Sequence, residues 1–108
     1  MTNVRRYARA RVNLQAHVRV FDGGTFTSLR GRIVVLGEGG AFLELSEDVV
    51  IGTRLGLQFT LPSGPDPVIC RAVVRSCLPG QGVGVEFSQL SSHDGGRVAQ
   101  FVEQVLRH

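Results

Sequence analysis

The chain contains 108 residues, of which 43% are apolar and only 19% are charged. This size suits one compact domain, and so low a charged fraction excludes a disordered acidic or basic chain, because enough apolar surface exists to offset the entropy lost on folding. No apolar run approaches the roughly 20 residues that a membrane helix requires, and the first residues lack the apolar segment of a secretory signal, so we expect a cytoplasmic protein without membrane insertion.

The positive charge of the chain is concentrated at its start. The first eleven residues contain no acidic group and four arginines, which are Arg5, Arg6, Arg9 and Arg11. Guanidinium groups bind phosphate oxygens and guanine edges in a planar, bidentate manner. We therefore predict that residues 1–11 form a basic arginine arm that attracts an anionic partner.

Alternation of apolar and polar residues predicts six short strands. The predicted strands cover residues 12–20, 26–36, 41–45, 55–61, 68–77 and 83–87. Asp22-Gly23-Gly24-Thr25 has the turn residues of a hairpin between the first two strands. The glycine-rich segment at 80–84 precedes a strand rather than opening a helix, so it is interpreted as a hairpin turn and not as a phosphate loop.

A helical pattern follows the last strand. The apolar residues Val98, Phe101, Val102, Val105 and Leu106 recur with the helical period and predict a C-terminal helix over residues 92–107. Ser91 or Ser92 is the predicted N-cap, and the Gly95-Gly96 pair predicts that the regular helix begins only near residue 96. The order of elements favours an all-β fold with one flanking C-terminal α-helix, arranged as a six-stranded antiparallel barrel. Without internal repeats or a linker, residues 1–108 are expected to form a single domain, with the barrel over 12–87.

Catalytic and metal-binding motifs are absent from the sequence. It has no lysine, no Gly-x-Ser-x-Gly elbow and no His-Glu-x-x-His helix. His17 is predicted to be solvated on the polar face of the first strand. The cysteines Cys70 and Cys77 match no zinc pattern with the three histidines, which are His17, His93 and His108, and we expect two inert, buried or half-buried thiols. The sequence therefore predicts no enzyme, no metal site and no cofactor.

Two further groups of residues are interpreted as structural. Four carboxylates are spread by strand alternation and loops and are predicted to be solvated; they are Glu38, Glu44, Glu47 and Asp48. Four phenylalanines fall at core-facing positions; they are Phe42, Phe59, Phe87 and Phe101. One tyrosine, no tryptophan and no basic stripe outside the arm argue against a binder of DNA or RNA.

Three segments carry a resemblance to a known family. They are RRYARARVNL at residues 5–14, GRIVVLGEGGAFL at 31–43 and GVGVEF at 82–87. In order and spacing these segments resemble the PilZ domain over about residues 5–107. The resemblance implies a six-stranded antiparallel barrel with a flanking helix, which the periodicity predicts independently. It also implies bacterial signalling, because typical PilZ domains are receptors for cyclic di-GMP.

The resemblance implies a ligand site with an Arg-x-x-x-Arg arm ahead of the first strand. Arg5 and Arg9 have this spacing. An alignment on the Arg-Val-x-Leu start of the strand instead puts Arg11 at the second arginine position and Tyr7 at the first. Arg6 and Arg11 remain substitutes, although they are one residue too far apart. The register of the arginine motif, Arg5/Arg9 or Arg6/Arg11, therefore stays open.

The second motif of the family is Asp/Asn-x-Ser-x-x-Gly, which lines the guanine. Gly40 aligns with its final glycine, which places Val35 at the Asp/Asn position and Gly37 at the serine position. Valine accepts no hydrogen bond and glycine supplies no hydroxyl, and each unmet polar group costs about 1–3 kcal/mol.

Two hypotheses about function follow. The first is a non-enzymatic adaptor that contacts an unidentified signalling or motility protein, with cyclic di-GMP binding weakened or lost. The second is a working cyclic di-GMP effector, whose ligand orders the arginine arm and changes a partner surface. Under both hypotheses a separate polypeptide receives the signal.

Overall fold

The computed structural model describes residues 8–107. The elements are β1 (Arg9–Asp22), β2 (Thr25–Gly37), β3 (Gly40–Leu45), β4 (Arg54–Thr60), β5 (Pro67–Leu78), β6 (Gly82–Gln89) and α1 (Ser92–Leu106). The six strands form a closed barrel in the order β1-β2-β3-β6-β5-β4, and all neighbouring pairs are antiparallel. The predicted fold class is confirmed.

The alternation of the strands fills the interior of the barrel. In β1, Leu14, Ala16 and Val18 are buried, whereas His17 between them is exposed. Phe59 of β4 is among the largest fully buried side chains. No polar or charged residue in the described range is buried, so burial of apolar area is the main stabilising contribution to the core.

The helix belongs to the same core. Val98 and Val102 of α1 are buried together with the inward residues of the strands, and Phe101 packs partly buried against them. Phe87 of β6 is also partly buried against this core. No helix within residues 8–107 has the length and apolar character needed to cross a bilayer.

The helix begins earlier than the glycine pair suggested. The expected start near residue 96 is wrong, because α1 begins at Ser92 and Ser91 is its N-cap. The Ser91 hydroxyl accepts a hydrogen bond from the Asp94 backbone N–H at 3.1 Å, and the Gly95 N–H donates to the Ser91 carbonyl at 2.7 Å. These bonds satisfy N–H groups of the first turn and offset the low helix propensity of glycine.

The first strand also begins earlier than predicted. Arg9 and Arg11 pair with Gly37 and Val35 in the β1–β2 ladder, and Ala10 between them is buried. The predicted boundary between a basic arm over 1–11 and a barrel from residue 12 is therefore wrong by three residues. Polar, apolar and polar residues already alternate here, but alanine is too small to make the pattern conspicuous.

Two predicted burials are wrong. Phe42 is only half-buried, because Ala41 and Leu43 on either side of it point into the barrel and leave its own side chain outside. Its ring lies over Gly82, 2.9 Å from the position that a Cβ would take there. Cys77 is exposed near the end of β5.

Candidate functional site

A cleft with a volume of about 1010 Å³ lies where the β2–β3 turn meets β5, β6 and the start of α1. We call it the β2–β3 cleft. The charged and glycine residues that line it include Arg9, Gly37, Glu38, Gly39, Gly40, Arg75 and Glu86. The serines of its wall are Ser76, Ser88, Ser91 and Ser92.

The structure brings only part of the predicted ligand site into this cleft. Arg9, Gly37 and Gly40 line it. Arg11 and Val35 pair with each other in the ladder and are not among its lining residues. Arg5 and Arg6 of the predicted arm lie outside the described residues.

Gly40 is required by the packing of two strands. It pairs with Glu86 of β6, and a Cβ at residue 40 would collide with the carbonyl oxygen of Val85. Such a contact is far inside van der Waals distance, so any side chain here forces β3 away from β6. This glycine of the second motif therefore has a structural role that needs no ligand.

Gly37 is covered by the start of the chain. It is buried, it pairs with Arg9, and a Cβ at residue 37 would lie 2.8 Å from the carbonyl oxygen of Ala8. A serine, which the alignment expected from the sequence would place at this position, would require the backbone at Ala8 to move. The absence of a side chain at residue 37 and the early start of β1 thus depend on each other.

The charges that line the β2–β3 cleft are balanced. The Arg75 Nε donates to Glu86 Oε1 at 2.9 Å, and both side chains are exposed. Glu38 reaches towards the start of α1, where its Oε2 lies 3.5 Å from the position of a Cβ on Gly95. Two arginines, Arg9 and Arg75, therefore face two glutamates. The described lining offers a dianionic ligand no excess of positive charge.

The carboxylates of this cleft were not predicted as site residues. The sequence predicts only a solvated Glu38, although its position within the second motif, directly after Gly37, is a usable signal. Arg75 and Glu86 come from different strands that the β5–β6 register brings together. No local pattern in the sequence could have shown that pairing.

A second cationic surface lies on the outside of β1, β2, β4 and β5. Arg19, Arg30, Arg54 and Arg71 are all exposed there. The expectation that no basic stripe exists outside the arm is therefore wrong. These arginines are far apart in sequence and become neighbours only through the strand register.

The cysteines and histidines do not form a reactive centre in the described structure. Burial raises the pKa of the Cys70 thiol to about 12, and the charge of Asp94 adds to the effect. Cys70 therefore stays protonated near neutral pH and is a poor nucleophile. Within residues 8–107, no three His, Cys, Asp or Glu side chains are grouped to hold a metal ion. His17 and His93 are exposed, and His108 lies outside the described residues.

The barrel order, the terminal helix and the glycine turn at the cleft agree with a match to a family model. The model of the PilZ domain matches residues 3–104. The chain belongs to the PilZ domain family. PilZ domains are generally non-enzymatic binding or adaptor modules, and cyclic di-GMP is the ligand of the family. No curated protein sequence matches the chain.

Three solved structures share the fold. The inhibitor of motility MotI/DgrA from Bacillus subtilis has a TM-score of 0.78 and 20% identity, over 95% of this chain and 51% of that protein. The chain thus spans about half the length of MotI/DgrA. The PilZ domain of YcgR from Escherichia coli, solved with c-di-GMP, has a TM-score of 0.69 and 18% identity over 97% of this chain and 93% of that one. The PilZ domain of CeSA from a cellulose-synthesizing bacterium has a TM-score of 0.64 and 19% identity, with coverages of 93% and 98%.

Proposed function

We propose that this PilZ domain is a bacterial signalling adaptor that acts by contact with a separate protein, and that its affinity for cyclic di-GMP is weakened or lost. One observation carries the proposal: the backbone at Ala8 covers Gly37, where the family motif has a serine. A ligand group that would hydrogen-bond to this serine hydroxyl finds no hydroxyl here, and the Ala8 backbone occupies the space beside Gly37.

The second motif also lacks its acceptor. Val35 pairs with Arg11 in the ladder and offers a guanine no hydrogen-bond acceptor. Each unmet polar group costs about 1–3 kcal/mol, which corresponds to roughly 5- to 150-fold in affinity. At the upper end of this range, two such losses together turn a sub-micromolar receptor into a millimolar one.

The balanced charge of the β2–β3 cleft supports the same conclusion. Arg75 is already engaged by Glu86, and Glu38 repels an approaching phosphate. Arg9 is the one arginine of this lining without a carboxylate in contact among the described residues. The neighbour MotI/DgrA, an inhibitor of motility, supports a function exerted on another protein, and a signalling or motility protein is the proposed partner class.

Isothermal titration of the purified chain with cyclic di-GMP tests the proposal. We expect no heat of binding at micromolar ligand. The PilZ domain of YcgR, which was solved with c-di-GMP, serves as the positive control under the same conditions. A saturating isotherm with a dissociation constant below about 10 µM would overturn the weakened-binding part of the proposal.

A second candidate is a working cyclic di-GMP effector. The observation in its favour is that Arg9, with the family spacing to Arg5, lines the cleft beside Gly37 and Gly40. In that case Arg5→Ala combined with Arg9→Ala abolishes the binding that the wild-type chain shows. If this double variant retains its affinity for cyclic di-GMP, the arginine arm does not contribute to binding.

A further inference from the structure

The outer side of the barrel carries a surface that the β2–β3 cleft does not explain. It is formed by Arg19 and Phe21 of β1, Gly56 of β4, and Ile69 and Arg71 of β5, and we call it the arginine face. We propose that the arginine face binds an acidic segment of the partner protein through carboxylates and an apolar side chain. The proposal rests on the adaptor function and names the surface that performs it.

The strand register places a gap between two guanidinium groups. Arg19 pairs with Gly56, and Gly56 pairs with Arg71 on its other side, so the three residues form one row across β1, β4 and β5. Gly56 has no side chain and leaves the middle of this row open, within a groove of about 820 Å³. A Cβ at residue 56 would lie 3.5 Å from Cε2 of Phe21, so this ring forms one wall of the gap.

Aromatic rings hold the two guanidinium groups in place. The Cζ of Arg71 lies 5.7 Å from the centre of the Phe21 ring, and the Cζ of Arg19 lies 5.1 Å from that of Phe26. The two rings contact each other edge to face, with centroids 6.3 Å apart. Cation–π contacts of this kind orient an arginine and leave its N–H donors available for an anion.

Among the described residues, the arginines of this surface have no carboxylate partner. The ion pairs within residues 8–107 are made by Arg32, Arg75, Arg97 and Arg107. Neither Arg19 nor Arg71 is among them. Two nearby arginines outside these pairs extend the positive surface; they are Arg30, opposite His17, and Arg54, opposite Phe21. A ligand that brings two or more carboxylates satisfies guanidinium donors that residues 8–107 leave without an ion pair.

Exposed apolar side chains accompany the charge. Ile69 on the face is 64% exposed, and Phe26 is 55% exposed at its edge. Val50 and Ile51, exposed by 74% and 64%, lie beside Phe26 in the adjoining groove at the β1–β2 turn. Aliphatic side chains lie here next to guanidinium groups, which bind carboxylates in a bidentate manner. This combination fits a protein segment that has both acidic and apolar side chains. The aliphatic side chains Ile69, Val50 and Ile51 give little to a nucleic acid, because they cannot stack on its bases.

Fluorescence anisotropy with the purified full chain tests the proposal. The probe is a labelled synthetic peptide with glutamate on one helical face and leucine on the other, and its control has lysine in place of glutamate. We expect the acidic peptide to bind and the basic peptide not to bind. Arg19→Gln combined with Arg71→Gln should weaken binding at least about tenfold.

Two matched variants distinguish an effect of the arginine face on peptide binding from effects of net charge and of stability. Arg32→Gln combined with Arg107→Gln removes the same charge elsewhere and should leave peptide affinity within about twofold. Gly56→Val keeps the charge, fills the gap with a residue that suits a strand, and should weaken binding about tenfold with an unchanged melting temperature. Equal loss in both arginine pairs, or no loss in Gly56→Val, would overturn the assignment.

Titrations with other ligands test which class of partner the arginine face binds. Stronger binding to a single-stranded oligonucleotide or to phosphatidylglycerol vesicles than to the acidic peptide would overturn the protein partner. Cyclic di-GMP is titrated into the same sample. Tight binding of cyclic di-GMP would contradict the proposed loss of nucleotide affinity and would not affect the peptide result. Absence of binding to the acidic peptide would contradict only the role proposed for the arginine face.

Discussion

The β2–β3 cleft and the arginine face are both lined by arginines, but their charges are arranged differently. In the cleft, Arg75 is paired with Glu86, and Glu38 adds a second negative group. On the arginine face, Arg19 and Arg71 contact aromatic rings and have no carboxylate partner among the described residues. The number of arginines in a surface therefore says little about anion binding until their partners are known.

The two surfaces also use glycine for different purposes. Gly40 in the cleft has no room for a side chain, because the Val85 carbonyl fills that space. Gly56 on the arginine face would place a Cβ at ordinary contact distance from the Phe21 ring, so its hydrogen leaves a usable gap. One glycine serves the packing of the barrel, and the other shapes a surface.

The largest effect that separates these roles is expected from Gly40→Ala. The added methyl group collides with the Val85 carbonyl, and we expect the free energy of unfolding to fall by about 3 kcal/mol or more. Urea denaturation measures the change. Gly96→Ala is the control, because nothing lies within 4 Å of its Cβ and it sits in the exposed part of α1. The control should be stabilising by about 0.5–1 kcal/mol, and an equal loss in Gly40→Ala and Gly96→Ala would contradict the packing role.

A smaller effect is expected from Gly37→Ser, which introduces the serine that the proposed alignment with the family motif places at this position. The Cβ approaches the Ala8 carbonyl to 2.8 Å, so we expect a loss of about 1–3 kcal/mol in stability. The same substitution in a chain that begins at Arg9 should lose clearly less, since the colliding carbonyl is gone. Urea denaturation is measured for the full and the shortened chain, each with and without Gly37→Ser, and gives the coupling free energy between the two changes. Additive losses of stability would contradict the proposed dependence between residue 37 and the start of β1.

The smallest effect is expected from Glu86→Gln, which makes the cleft more like the arginine face. Removing this carboxylate releases Arg75, and we expect any residual cyclic di-GMP affinity to rise by roughly three- to tenfold. Glu103→Gln, which removes the partner of Arg107 on α1, is the matched control. Titration calorimetry at high protein concentration compares the two. Equal affinities would show that charge balance does not limit binding in the cleft.

The periodicity of the sequence predicted six strands and the helix because burial in a small barrel follows strict alternation. It missed the start of β1 because Ala10 is a weak apolar signal between two arginines. Motif glycines located the β2–β3 turn of the candidate site. The register between distant strands brings Arg75 and Glu86 together in the cleft, and it also forms the row from Arg19 to Arg71. No local pattern in the sequence contains this register.

The proposed function requires that the β2–β3 cleft bind cyclic di-GMP weakly or not at all. A titration of the isotopically labelled chain followed by amide NMR tests it directly, because the amides of Gly37, Gly39 and Gly40 report on the cleft and that of Gly56 reports on the arginine face. We predict that the three cleft amides either do not shift or move in fast exchange without saturating at millimolar nucleotide. Slow exchange of these amides, complete at one equivalent of nucleotide, would show tight binding in the cleft and contradict the proposed weakening.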